Sequence, residues 1–253
     1  MIRSRVGLKA LGFCALVLGL TAFAGAAQAE TGAAWLILLG NKQEKKTAGE
    51  LLASIGVKEV ENYTFEDLES KNLTTQVVIL LTKILTKKVY IICTNVALLG
   101  VGLEANGGIT EGGKVQFSGC ETRIDLMTQA ACQPKSAGAA AGTIVTNEGK
   151  GLLVLHTGGV GLIRIEPKVG ETLATIELGA ACSIGESFPV SGKLFLKDTF
   201  LTILDVNHLV EQGPLTDLWV LNKNAEHTTT LDGAVVLALS GAHTGLQWAG
   251  FRG

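Results

Sequence analysis

The chain has 253 residues, 21 basic and 23 acidic, a net charge of −2 and a sequence pI near 6.1. A mildly acidic chain whose longest basic element is Lys45-Lys46 makes a poor nucleic-acid binder, because phosphate contacts need Lys and Arg on one face. Aromatic residues make up 5% of it, which argues against a sugar-stacking face, while 32 glycines against 4 prolines, with many branched residues, point to strands and turns.

The N-terminus carries the three parts of an export signal. Arg3, Arg5 and Lys9 form a positive start, Ala10 to Ala27 are uncharged, and Ala27-Gln28-Ala29 is an A-x-A cleavage site with Glu30 as the new first residue. The alternative is an uncleaved anchor, since an uncharged run of this length just reaches across a bilayer. Cys14 lies inside the apolar run, not at its end, which argues against lipidation. Cleavage after Ala29 removes three of the 21 basic residues and none of the 23 acids, leaving a net charge of about −5. The expected organisation is a signal peptide over 1–29 and a β-rich domain over 30–253, with no membrane span after cleavage and a secreted or cell-surface location.

In the mature chain, AAWLILLG predicts a buried strand over Ala33 to Leu39. The next segment reads as one short helix, Ala48 to Ile55. Thr47 and Glu50 form a capping box, Leu51, Leu52 and Ile55 share a face at helical spacing, and Gly56 is a stop. Tyr63 to Lys71 holds at most a further helical turn. From Thr75 onward the pattern is strand after strand. VVILLTKIL and KVYIIC come first. In KVQFSGC, Val115 and Phe117 point one way and Lys114, Gln116 and Ser118 the other. GTIVT and GLLVLH flank Asn147 to Lys150, which reads as a hairpin. In GLIRIEP, Ile163 and Ile165 point inward and Leu162, Arg164 and Glu166 outward. LATIEL, GKLFLKD, FLTILDV, LTDLWVL with a turn through Asn222 to Asn224, TTTLDGAVVLALSG with a break at Gly233, and GLQWAGF complete the series. Closely spaced turns with almost no helical period favour an antiparallel β-sandwich or barrel. SAGAAAG, Ser136 to Gly142, is a surface loop or a seam between two β units. GGKVQFSGC and SGKLFLKDT echo one another, through duplication or because a glycine before a strand is common.

Four cysteines survive cleavage: Cys93, Cys120, Cys132 and Cys182. An even count in an exported chain points to two disulfides, with three connectivities open. One has Cys120 and Cys132 stapling a loop and Cys93 and Cys182 tying distant segments. A metal site lacks support, since there is no C-x-x-C and no histidine within four residues of a cysteine.

No catalytic constellation is visible. His156, His208, His227 and His243 lie far apart, and no metal or calcium motif occurs. Ser240 near His243 lacks the G-x-S-x-G elbow of a hydrolase. HTGGVGLIR lacks the helix and the Lys-Ser/Thr of a phosphate loop. The reactive-thiol pattern, an electropositive setting with a partner base, is absent. Asp125, Glu166 and Asp205 are candidate acids for glycoside hydrolysis, but any chain with 23 acids offers such candidates. Asn62 and Asn72 begin N-x-T sequons. Trp219 and Trp248 read either as a binding rim or, preferably, as a plug of the core near the last strands. No cofactor is implied.

KVYIIC…EGGKVQFSGC, GKGLLVLH, GLIRIEP, ETLATIELG and GPLTDLWV resemble segments of uncharacterised exported bacterial β-rich proteins. The resemblance covers most of the mature chain. It implies secretion and a β-rich fold and carries over no catalytic residue. That group has a cysteine where this chain has Thr199, which leaves the partner of Cys182 open. The expected function is a secreted, non-catalytic structural or binding module, with an unknown extracellular ligand or cell-surface component as partner. The alternative is an extracellular hydrolase, acting on glycans, with a site assembled from distant strands. A third option, a carrier of lipid or small ligands, requires an enclosed apolar cavity.

Overall fold

The computed structural model describes residues 33–39, 42–45, 51–55, 58–59, 74–75, 77–84, 86–156, 160–185, 187–198, 207–212, 217–222 and 225–252. In chain order the first strands are β1 (Ala33–Leu39), β2 (Lys42–Lys45), β3 (Leu51–Ile55), β4 (Lys58–Glu59), β5 (Thr74–Thr75), β6 (Val78–Ile84) and β7 (Lys87–Cys93). There follow β8 (Asn95–Leu99), β9 (Gly108–Ser118), β10 (Glu121–Ile124), β11 (Met127–Thr128), β12 (Ile144–Val145), β13 (Gly149–His156) and β14 (Val160–Pro167). The last are β15 (Thr172–Glu177), β16 (Ser187–Asp198), β17 (Asn207–Gln212), β18 (Asp217–Asn222), β19 (Ala225–Asp232), β20 (Ala234–Leu239) and β21 (Trp248–Arg252). The fold is mainly β, with antiparallel sheets and no closed barrel among the described residues.

The expected short helix is not found. Leu51–Ile55 is β3, paired with β20 from Leu51↔Leu239 to Ile55↔Val235. The Leu51 N–H donates to the Val101 carbonyl at 2.6 Å. Pairing along β20 satisfies the backbone that a helix would have satisfied internally, and it buries Leu51. The only helical elements among the described residues are 3-10 turns at Ala105–Gly107, Ala130–Cys132 and Gly241–His243. Thr47, Glu50, Gly56 and the stretch Tyr63 to Lys71 lie outside the described residues.

Sixteen strands form one hydrogen-bonded network that divides at β16. Along its first half β16 pairs β15 (Ser191↔Thr172) and β18 (Lys193↔Asp217). Along its second half it pairs β14 (Leu194↔Ile165) and β17 (Leu196↔Gln212). The partners change between Ser191 and Leu196, a stretch that includes Gly192, whose φ of 110° is open to glycine but strained for other residues. Strand β9 behaves likewise. Gly113 pairs Gly149 of β13, whereas Val115 and Phe117 pair β8 and Phe117 also pairs β12. The two echoing sequences therefore sit at the two strands that pass from one set of partners to another. The bend at β9 demands glycine, because a Cβ on Gly113 would stand 2.6 Å from Val101 Cγ2. Gly113→Ala is expected to lower stability by about 1–3 kcal/mol. In urea unfolding, a second change, Val101→Ala, should recover part of that loss; simple additivity of the two would refute the steric account.

The hairpin expected at Asn147 to Lys150 is also absent. Strands β12 and β13 run in the same direction along one edge of β9, through Ile144↔Phe117, Val145↔Gln116 and Gly149↔Gly113. Between them Thr146 bonds Val115 twice. Its N–H donates to the Val115 carbonyl at 2.9 Å, and its Oγ1 accepts from the Val115 N–H at 2.9 Å. Hairpins do form at β6–β7, β13–β14 and β18–β19, the last closing from Asn222↔Ala225 as the sequence implies.

Two apolar clusters form the main core. One gathers Leu80, Ile91, Ile176, Phe188, Val190 and Leu218 with Cys93, Cys120, Cys132 and Cys182. The other centres on Trp35 and Trp248, 1% and 0% exposed, with ring centroids 5.8 Å apart. The Trp35 Nε1–H donates to the Gly108 carbonyl at 2.7 Å, which satisfies the polar edge of a buried ring. Trp248 thus fills the core, on β21 against β1. The side chain of Trp219 lies outside the described residues.

Candidate functional site

The period-2 pattern of the strands determines what faces inward. On the β6–β7 hairpin, Leu80 pairs Ile91, and both face the interior. On β14, Ile163 and Ile165 face the same space, while Arg164 and Glu166 lie on the opposite face as expected. Leu162 shares their face yet is 2% exposed, so that face is covered too. Between Thr172 and Ala174 of β15 the register shifts by a bulge, and both Leu173 and Ala174 are buried.

These inward side chains do not fill the space between them. A cavity of about 170 Å³, partly open to the surface, lies between the two apolar clusters. Leu80, Ile91 and Val190 bound it from one side, and Ile109, Ile163 and Leu237 from the other. Glycines contribute wall without volume. Gly151 packs so closely on Ile109 that an added Cβ would meet the Ile109 Cβ at 2.9 Å. Sequence reasoning identified several of these inward positions, but not Ala174 or Gly151 as wall residues, nor the space they leave.

Several polar groups in the wall are bound to the protein itself, and Lys114 also contributes to the wall. The Thr110 hydroxyl donates to the Gly102 carbonyl at 3.1 Å, and Thr146 Oγ1 accepts from Val115. The Asn147 amide donates to the Thr172 carbonyl at 2.9 Å. Lys150 lies in the wall, but its Nζ reaches out to Glu166 at 3.3 Å. Asp232 has a partner within the protein.

The cysteines resolve the open connectivity as Cys93–Cys120 and Cys132–Cys182. The pairing of Cys120 with Cys132, and of Cys93 with Cys182, does not form. Register is the reason. Glu121 pairs Ile92 across β10 and β7, which brings Cys120 opposite Cys93, with Cα atoms 4.0 Å apart. Lys135 and Glu177 exchange backbone bonds at 2.9 and 2.7 Å, drawing the turn at Cys132 towards Cys182. No cysteine position at Thr199 is needed for Cys182 to find a partner. With Cys93, Cys120, Cys132 and Cys182 all oxidised, thiol chemistry and thiolate metal binding are closed to them in this state. The loop Ser136 to Gly142 folds back on the same region. The Cys120 N–H donates to the Gly142 carbonyl at 3.0 Å, and Ser136 Oγ bonds both backbone groups of Val145.

The other sequence candidates do not assemble. Asp125 sits in the β10–β11 turn, where Oδ2 meets Lys87 Nζ at 2.9 Å and Oδ1 accepts from the Lys88 N–H at 3.0 Å. The Lys87 ammonium, then the Lys88 N–H, hold its carboxyl below the usual carboxylate range, the opposite of what a general acid needs. A depressed folded pKa gives stability above the unfolded value of about 3.9 that is lost as pH falls through the lower folded one. Titration of the Asp125 carboxyl by NMR should show a midpoint below about 3.9 that rises in Lys87→Ala; an unchanged midpoint would refute the assignment. Glu166 is ringed by Lys150, Arg164 and Lys193 at 3.3, 3.6 and 3.7 Å on the outer face. Asp205 lies outside the described residues, as do Ala29, Glu30, Asn62 and Asn72 and the side chains of His156 and His208. His227 is on β19, and the His243 N–H donates to the Ser240 carbonyl in a 3-10 turn. HTGGVGLIR leads into strand β14, not a helix. Among the described residues, no three of His, Cys, Asp and Glu gather in a metal-holding group, and no helix is long and apolar enough to cross a membrane.

Comparison of the chain with known protein families, characterised proteins and solved structures finds no match.

Proposed function

We propose that the protein is an exported, non-catalytic binding module of β-sandwich form that takes a small apolar ligand between its sheets at the cell exterior. The cavity carries this reading. A partly open pocket of about 170 Å³ with an almost wholly apolar lining is the kind of concavity in which a small apolar ligand sits. The two disulfides fit an oxidising compartment, in line with the export signal and the resemblance to exported bacterial proteins. Of the candidate acids, Asp125 and Glu166 are held by basic partners, which lends the hydrolase alternative no support.

Methyl NMR of the exported protein tests the reading. Its mass should begin at Glu30, and benzene should shift the methyls of Ile163, Ile165 and Val190. Unmoved wall methyls in benzene-saturated buffer would overturn it.

A further inference from the structure

The cavity also specifies the chemical class of its ligand, an inference that rests on the binding reading above. We infer that the site takes a compact, uncharged hydrocarbon-rich molecule of about six to eight carbons, such as a single ring or a short alkyl chain, and not a long-chain fatty acid.

Size comes first. An engineered apolar cavity of about 150 Å³ holds one benzene molecule. The space here is about 170 Å³ and partly open, so one ring or a short chain fills its apolar part and a longer chain would leave its remainder in water. A sixteen-carbon chain needs more than twice that room.

Charge comes second. An ionised group in an apolar space must be paired and hydrogen-bonded to be tolerated. Among the described residues, the charged members of the wall are Lys114, Lys150 and Asp232, and Asp232 already has a partner within the protein. Thr110, Thr146 and Asn147 each make a hydrogen bond within the protein, to Gly102, Val115 and Thr172. Lys150 is turned outward to Glu166. Lys114 alternates with inward Val115 and pairs across the strand with exposed Leu99, which places it on the outer face. A carboxylate or ammonium inside the cavity would have to compete with these existing bonds and ion pairs for a partner.

The prediction is a chain-length series with a break. Calorimetric titration of the full oxidised protein with neutral 1-alkanols from butanol to dodecanol should show affinity rising about fourfold per added carbon, as each methylene leaves water. The rise should stop at about seven or eight carbons, where Kd reaches roughly 0.1–1 mM, and affinity should then level off. Octanoate and octylammonium should each bind at least about tenfold more weakly than octanol.

A rise that continues through dodecanol, or octanoate binding more tightly than octanol, overturns the ligand class while leaving a binding module in place. If no alcohol binds and the wall methyls ignore benzene, the binding reading falls, and the ligand class with it.

Discussion

Replacing Cys132 and Cys182 together by alanine is expected to lower stability by about 4 kcal/mol, and replacing Cys93 and Cys120 by about 3.5 kcal/mol. The difference follows from the loops closed, 50 and 27 residues in sequence separation, since the longer one restrains the unfolded chain more. Both bonds lie in the same apolar cluster, with Cys132 only 1% exposed. Either change alone should leave a folded protein with a melting temperature lower by roughly 8–16 °C. All four changes together remove about 7–8 kcal/mol, against a total of about 5–15 kcal/mol for a typical domain, and should leave the chain largely unfolded at 25 °C. Circular dichroism melts of the three variants test this. A shift under 2 °C in the Cys132/Cys182 variant would mean that strand pairing holds this region and that the bond is incidental.

Ala174→Leu is expected to raise stability and abolish binding at once. Ala174 lies on β15, buried and in the cavity wall, opposite Val190. A leucine there adds apolar volume where no atom stands, so it should gain about 0.5–2 kcal/mol, the range seen for filling a void. The same atoms occupy the ligand's space, so affinity for hexanol or benzene should fall at least tenfold. These two outcomes separate a binding site from its competitor. A leucine that destabilises the fold by more than 1 kcal/mol would show that the space is closed in solution. A leucine that stabilises while leaving affinity unchanged would place any bound ligand elsewhere.

Much of the β architecture was legible because alternation survives in short windows. Val115 and Phe117 face the cavity, and Ile163 and Ile165 do the same, as their sequence phase requires. Leu51–Ile55 was misread for a physical reason. Five residues are too few to separate a period of 3.6 from one of 2, and the deciding contact is with Val235 to Leu239 at the far end of the chain. The turn residues at Asn147 to Lys150 were genuine turn formers, but Thr146 lends its hydroxyl to Val115 and carries the chain onward along β9. Cysteine pairing escaped because it depends on the register of β10 against β7, not on spacing along the chain. The cavity was least legible. Each wall residue reads as ordinary core, and the unfilled space appears only when the side chains of distant strands are set against one another in three dimensions.

The most direct measurement is a crystal structure of the oxidised protein exposed to benzene vapour, beside an untreated crystal. Density for one ring against Leu80, Ile91, Ile163 and Val190, with the surrounding strands unmoved, is the result expected of a preformed apolar site. An interior that has collapsed on itself, with those side chains in mutual contact and no added density, would contradict it.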